Sequence, residues 1–263
     1  MSPRARIYTL VGVAAAGAAG LVVGVTALTA AHPPGARSGK PPVAADWTAP
    51  ARLSGDVRAA VGSVPRLSEL ASANPRSSFV RLNLGLALFW RRQDDAAVAA
   101  WRQAKRLQPD TPSAVRAGDF LHPNSPSGLP KFQPRSAKAR SSVQRLLVGG
   151  VRLQYAGRPI SAERLFARAA KLAPDDPDAQ VAAAVGLYDK DDPSRAFGRL
   201  GPLARRFPHS QTVRYHLGIL SIWLGSFAQA RKELRLALAE NEKSNYGKEA
   251  RLLLKRLENV RTK

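Results

Sequence analysis

Four stretches of the chain share one spacing: an alanine, a bulky apolar residue four positions on, a further apolar residue after three, and a proline five beyond that. The first, AVAAWRQAKRLQP, supplies Ala97, Trp101, Ala104 and Pro109. Ala162, Phe166, Ala169 and Pro174 repeat it, as do Ala196, Leu200, Leu203 and Pro208. Ala230, Leu234 and Ala237 follow, with Glu242 in the proline's place. The last three stretches succeed one another every 34 positions without a gap. A fixed period of this length means that the chain is an array of one supersecondary unit, each unit covering the apolar face its neighbour leaves open.

The spacing has a direct physical reading. Upstream of three of these alanines, by 12 positions, stand Gly85, Gly150 and Gly218, in the pairs Leu84-Gly85, Gly149-Gly150 and Leu217-Gly218. Small residues at these positions let two helices approach, and the bulky residue fills the space between them. Proline ends the second helix, because it has no amide donor and restricts the residue before it. The PDTP and PDDPD runs then turn the chain and offer caps for the next helix.

This pattern resembles the tetratricopeptide repeat, a helix-turn-helix unit of the same period. The match covers 78–111, 143–176, 177–210 and 211–244. The aromatic with which the family opens each first helix is missing, with Arg81, Leu146, Gln180 and Arg214 in its place. In the third unit Ala183-Ala184 replaces the Leu-Gly pair and Leu203 stands at a small-residue position, so that unit is expected to pack differently. The resemblance implies an all-α fold, a right-handed superhelical array of helix-turn-helix repeats.

Around the repeats, Leu53–Ala73 reads as a preceding helical pair that ends at Pro75, and residues 245–262 as an amphipathic capping helix. Residues 112–142 break the array: a short helical stretch leads into HPNSPSGLPKFQP, where four prolines fall close together and exclude a continuous helix. A loop insertion is expected over 119–137, either a functional loop or a plain connector. The helical domain as a whole is expected over 52–263.

Ahead of that domain, a basic tail (1–6, with Arg4 and Arg6) precedes 25 uncharged positions, 7–31. At about 1.5 Å of rise per residue, such a run crosses a hydrocarbon core of about 30 Å. Its length fits an uncleaved signal anchor, while Thr29-Ala30-Ala31 offers small residues at which a signal peptidase could cut; both readings stay open. Arg4 and Arg6 favour a cytoplasmic N-terminus, Arg37 and Lys40 beyond the other end reduce the asymmetry, and a long body translocates despite its charge, so an extracytoplasmic body is expected. Gly12, Ala16, Gly20 and Gly24 form a small-residue stripe suited to helix dimerisation, although Ala and Gly are abundant throughout this run. Residues 32–51, with five prolines, read as an extended linker.

The chain has no cysteine, which excludes disulfides, thiolate metal sites and thiol nucleophiles. His32, His122, His209 and His216 do not fall in metal-ligand spacing, and no HExxH, GxSxG, Walker or dinucleotide fingerprint is present. The acidic clusters Asp175-Asp176-Pro177-Asp178 and Asp189-Lys190-Asp191-Asp192 lack the calcium-loop pattern and sit where turns and caps are due. Neither catalysis nor a cofactor is expected; the chain reads as a scaffold or adaptor for another protein.

Where the partner would bind follows from the family resemblance, which puts the first helix of each unit on a concave face. Phe79, Leu86, Phe89 and Trp90 fall there from the first unit, and Leu147, Val151 and Tyr155 from the second. Val181, Val185 and Tyr188 follow from the third, and Tyr215, His216, Ile219 and Trp223 from the fourth. Together they would line an apolar groove edged with Tyr and Trp, side chains that carry much binding energy at interfaces. The alternative is that several of them pack against the second helices or against the loop at 119–134.

The formal net charge is +22, distributed along the chain: four Lys/Arg against one acid in 1–50, 15 against six in 51–142, and 22 against 12 in 143–263. Such a field attracts anionic lipid, envelope polymers or, with no recognised motif to support it, nucleic acid; it is also the way an arginine-rich chain solvates its helices. Arg91, Arg92, Arg102, Lys105, Arg106, Arg164, Arg168, Lys171, Arg199, Arg205, Arg206, Arg231, Lys232 and Arg235 lie on or beside the second helices and would form a basic convex face. An anionic surface is therefore the alternative partner.

Overall fold

A computed structural model of the protein describes residues 41–258. The basic tail, the apolar run 7–31 with its Gly12, Ala16, Gly20 and Gly24 stripe, and residues 32–40 of the expected linker lie outside the described residues. Among the described residues there are twelve α-helices and no strand, and no helix is long and apolar enough to cross a membrane. The chain is all-α.

The described residues form two compact units, 41–123 and 124–258. The boundary falls inside the stretch where sequence spacing breaks. The first unit holds α1 (Ala51–Ala60), α2 (Val64–Ala73), α3 (Ser78–Trp90), α4 (Asp94–Leu107) and α5 (Pro112–Leu121). Its core joins Val57 and Leu67 from the first two helices to Leu82 and Leu86 of α3 and Trp101 of α4. Helix α5 runs to Leu121, so the first positions of the expected loop are helical.

The second unit holds α6 (Ser142–Tyr155), α7 (Pro159–Leu172), α8 (Pro177–Gly186), α9 (Ser194–Arg206), α10 (Gln211–Trp223), α11 (Phe227–Glu240) and α12 (Asn245–Glu258). Each helix packs on the next in sequence, and α8 packs on α10 as well. The first residues of α8, α10 and α12 are 34 positions apart, so the sequence period survives as a period of helix starts.

Local chemistry explains the boundaries. Ser77 caps α3 through Val80, and Thr111 caps α5 through Ala114, with Pro112 in its first turn. Ser141 and Gln144 form a reciprocal capping box on α6, which satisfies two amides that helix geometry leaves without partners. Asp176 caps α8 by accepting from the amide of Asp178, so this acidic cluster is cap chemistry. Three helix pairs are joined by short turns whose middle residue, Arg92, Gly157 or Gly225, has a positive φ of 63°, 71° or 73°. Such a left-handed residue is a common way for a helix to stop. The third unit departs from this: α8 ends at Gly186, and a longer connection carries Tyr188 and Lys190 to α9.

The small–bulky pairs are in contact. A Cβ on Gly85 would collide with the Trp101 ring, one on Gly150 with Phe166, and one on Gly218 would come within 2.7 Å of Leu234. Trp101, Phe166, Leu200 and Leu234 are all buried. Trp101 also donates from its indole nitrogen to the carbonyl of Leu82 at 3.3 Å and stacks on Phe120, centroids 4.9 Å apart. It is a packing residue between the helices of its pair.

Candidate functional site

The surface that the sequence marks for a partner is occupied by the chain itself. In the second unit the non-helical segment 126–135 lies against α6, α8, α10 and α12. Phe132, at its centre, is fully buried. Its ring stacks on His216 (α10) at 5.2 Å and meets Phe166 (α7) edge-on at 5.7 Å.

The main chain of the segment is bound by side chains. The amide of Phe132 donates to Gln154 Oε1 at 3.1 Å, and that of Gln133 donates to His216 Nε2 at 3.1 Å. The Gln133 carbonyl accepts from the Tyr246 hydroxyl at 2.5 Å, and the Pro126 carbonyl from Lys190 Nζ at 2.7 Å. At the far end, Arg135 Nε pairs with Asp178 at 2.9 Å. On the other side of Phe132, Lys131 lies 4.0 Å over the Tyr155 ring.

The electrostatics follow from burial. His216 is fully enclosed, which holds its pKa down at about 4 despite the backbone carbonyl of Thr212 at 2.7 Å. A neutral ring with its proton on Nδ1 leaves Nε2 free to accept from Gln133, so the network defines the tautomer. Burial also raises the Tyr215 and Tyr246 hydroxyls far above their ordinary value, which keeps both as donors. Tyr215 Oη lies 2.5 Å from Glu249 Oε2 and 3.2 Å from Gln133 Oε1. Burial raises the Asp178 carboxyl, with Arg135 acting in the opposite sense.

The candidates named from sequence divide between the two units. Phe79 and Leu86 are buried in the first unit, and Phe89 and Trp90 half-buried there. In the second unit Leu147, Val181, Val185, Tyr188, Tyr215, His216 and Trp223 are buried, Val151 and Ile219 half-buried, and Tyr155 is 45% exposed. The structure brings Tyr188 and Trp223 edge to face at 5.6 Å and sets Tyr215 edge-on to His216 at 5.1 Å. Many of these side chains thus pack against helices or against the 126–135 segment.

Gln154, Asp178, Tyr246 and Phe132 were not among the candidates. Gln154, Asp178 and Tyr246 carry a readable signal: Asp178 and Tyr246 stand one repeat period either side of Thr212, and Gln154 precedes the candidate Tyr188 by the same interval. Phe132 stands among prolines outside the period and had none.

The first unit treats an extended segment similarly. Asn83 of α3 accepts from the Ala44 amide at 2.9 Å and donates to the Ala44 carbonyl at 3.3 Å. Asp46 Oδ2 accepts from the amide of Ser113 (α5) at 3.1 Å and from its hydroxyl at 2.5 Å. Val43, Ala44 and Ala49 pack on the core of that unit. The last part of the expected linker is therefore folded against α3 and α5.

On the second helices, Arg102, Arg106, Arg164, Arg168, Lys171, Arg199, Arg205, Lys232 and Arg235 are exposed. Arg206 is exposed too but pairs with Asp175 at 2.6 Å, and the half-buried Arg231 donates to the Leu257 carbonyl at 3.4 Å. Among the described residues no group of three His, Asp or Glu is placed to hold a metal ion. No known protein family matches the chain, and no curated protein matches it.

Proposed function

We propose that the chain is a non-enzymatic helical scaffold, tetratricopeptide-like in the superhelical stacking of its helix pairs, that recognises an extended peptide of a partner protein. Residues 7–31 tether it to a membrane, with the helical body on the extracytoplasmic side. The recognition surface is the groove formed by α6, α8, α10 and α12. One observation carries this reading: Gln154, His216, Tyr246 and Lys190 all direct polar atoms at the main chain of an extended segment. Side chains that address amides and carbonyls suit a peptide, while the aromatic bed beneath supplies the apolar contact.

A photo-crosslinking residue at Tyr155, on the exposed edge of the groove, tests it in native membranes. A protein adduct is expected there and not from the same residue at Arg199 on α9. Identical adducts at both positions would remove the groove as the recognition surface. Protease digestion of sealed vesicles reports the side on which the body lies.

A second reading is favoured by the exposed basic residues of α7, α9 and α11, since α9 carries Arg195, Arg199, Arg205 and Arg206 and no acid. This face would bind anionic lipid or an envelope polymer, with about 1 kcal/mol from each basic residue near the surface. Binding of residues 41–263 to anionic vesicles should weaken steeply with added salt; salt-insensitive binding excludes it.

A further inference from the structure

We propose that residues 126–135 are an exchangeable occupant of the groove, displaced by a partner peptide of their own chemistry. That peptide is extended and carries an aromatic side chain, an amide side chain immediately after it, and a basic residue three positions beyond the aromatic. These are the places of Phe132, Gln133 and Arg135. The proposal rests on the peptide-recognition reading above and adds the ligand's chemistry and its internal competitor.

Three observations carry it. First, the polar atoms of the groove are satisfied by the segment's main chain. Left bare they would lose these partners at a cost, so the groove favours an occupant. A second peptide offering the same amides and carbonyl replaces the first without orphaning any of them.

Second, the segment contributes no helix to the fold it covers. Pro126, Pro130 and Pro134 keep it out of any helix or ladder. The helices of the unit also pack directly on one another, around Ala162, Leu200 and Leu220, in the same core to which the segment adds Phe132 and Leu129. Third, every residue from Ser136 to Ser141 is exposed, so a run of exposed chain joins the segment to α6. That slack lets the segment leave while α6 stays in place. A tether of this length holds its occupant at an effective concentration of roughly millimolar, which a free peptide must overcome.

The test uses the full chain in detergent micelles and a fluorescent synthetic peptide of residues 125–135, SPSGLPKFQPR. Hydrogen exchange of Phe132 and Gln133 in the wild-type chain is expected to be at least tenfold faster than that of α6 and α10, through local opening. The peptide is expected to bind the Phe132→Ala chain at least tenfold more tightly than wild type, because its competitor is weakened. The same peptide with alanine at the aromatic position should not bind. Should Phe132→Ala fail to fold, Arg135→Glu loosens the segment at Asp178 without touching the core and should show the same ranking.

Exchange of Phe132 and Gln133 only on global unfolding would overturn the exchange and leave groove recognition at its exposed edge standing. A segment that opens while the peptide binds neither chain would overturn both readings. A dimer in light scattering that Phe132→Ala dissolves would mean that two chains trade segments, and would overturn the partner peptide in favour of a second copy.

Discussion

Phe132 stacks face to face on His216 at 5.2 Å, with 23° between the rings, although 84 positions separate them in the chain. The contact closes a fully buried imidazole under a fully buried phenyl ring. The same imidazole holds the next residue, Gln133, through its amide. One side chain of α10 thus sets both the position of the segment's aromatic anchor and the register of its main chain.

Removing that anchor should be costly. Phe132→Ala is expected to destabilise the second unit by about 3 kcal/mol, since truncation of a buried phenylalanine leaves a cavity as well as lost transfer energy. Urea unfolding followed by circular dichroism reads the loss. If water then reaches His216, its NMR titration should move up from about 4 toward the ordinary value.

Acid should act through the same imidazole. Its pKa is depressed to about 4 in the folded chain, against 6.5 when unfolded. Between these values the unfolded state binds a proton that the folded state refuses, so stability is complete above pH 6.5 and falls as pH drops toward 4. The full loss is about 3 kcal/mol. The groups facing His216 are the rings of Phe132, Tyr215 and Tyr246 and the Thr212 hydroxyl, none of which titrates in this window. Urea midpoints at pH 7.5, 5.5 and 4.5 should therefore fall more for wild type than for His216→Gln.

Glycines in this chain should respond oppositely to alanine. Gly150→Ala drives a Cβ into the buried Phe166 ring and is expected to cost roughly 1–3 kcal/mol, the penalty of overpacking. Gly198, exposed within α9, has nothing within 4 Å of a new Cβ. Gly198→Ala should stabilise by about 0.5–1 kcal/mol by restricting the unfolded chain. Thermal melts of the two variants should shift in opposite directions.

Asp46→Ala should free the segment ahead of α1. It removes the acceptor of a buried Ser113 amide, at a cost of about 1–3 kcal/mol. Limited proteolysis should then cut between residues 41 and 50 sooner than in wild type.

Much of the helical framework was legible in the sequence, for a local reason. Gly85 meets Trp101, Gly150 meets Phe166 and Gly218 meets Leu234, each at the same short separation within one helix pair. Apolar spacing, Ser and Thr caps and the prolines at 112, 159 and 177 act over similarly short distances, so the helix starts at Pro177, Gln211 and Asn245 keep the interval read from the sequence. The groove residues were less legible. The period placed Tyr188, Tyr215 and His216 on one set of helices, whereas Tyr188 lies in the connection after α8, and it could not say what lay against any of them.

The sequence by itself determined an all-helical chain with a recurring helix-pair period, because neighbours along the chain specify helices and pair them. Only the tertiary structure decided that the groove is filled. The bonds that fill it span 83 positions from Gln133 to His216 and 113 from Gln133 to Tyr246. No local spacing encodes a contact of that range: Phe132 is buried because the helices around it bury it, and its own neighbours in sequence read only as a proline-rich loop.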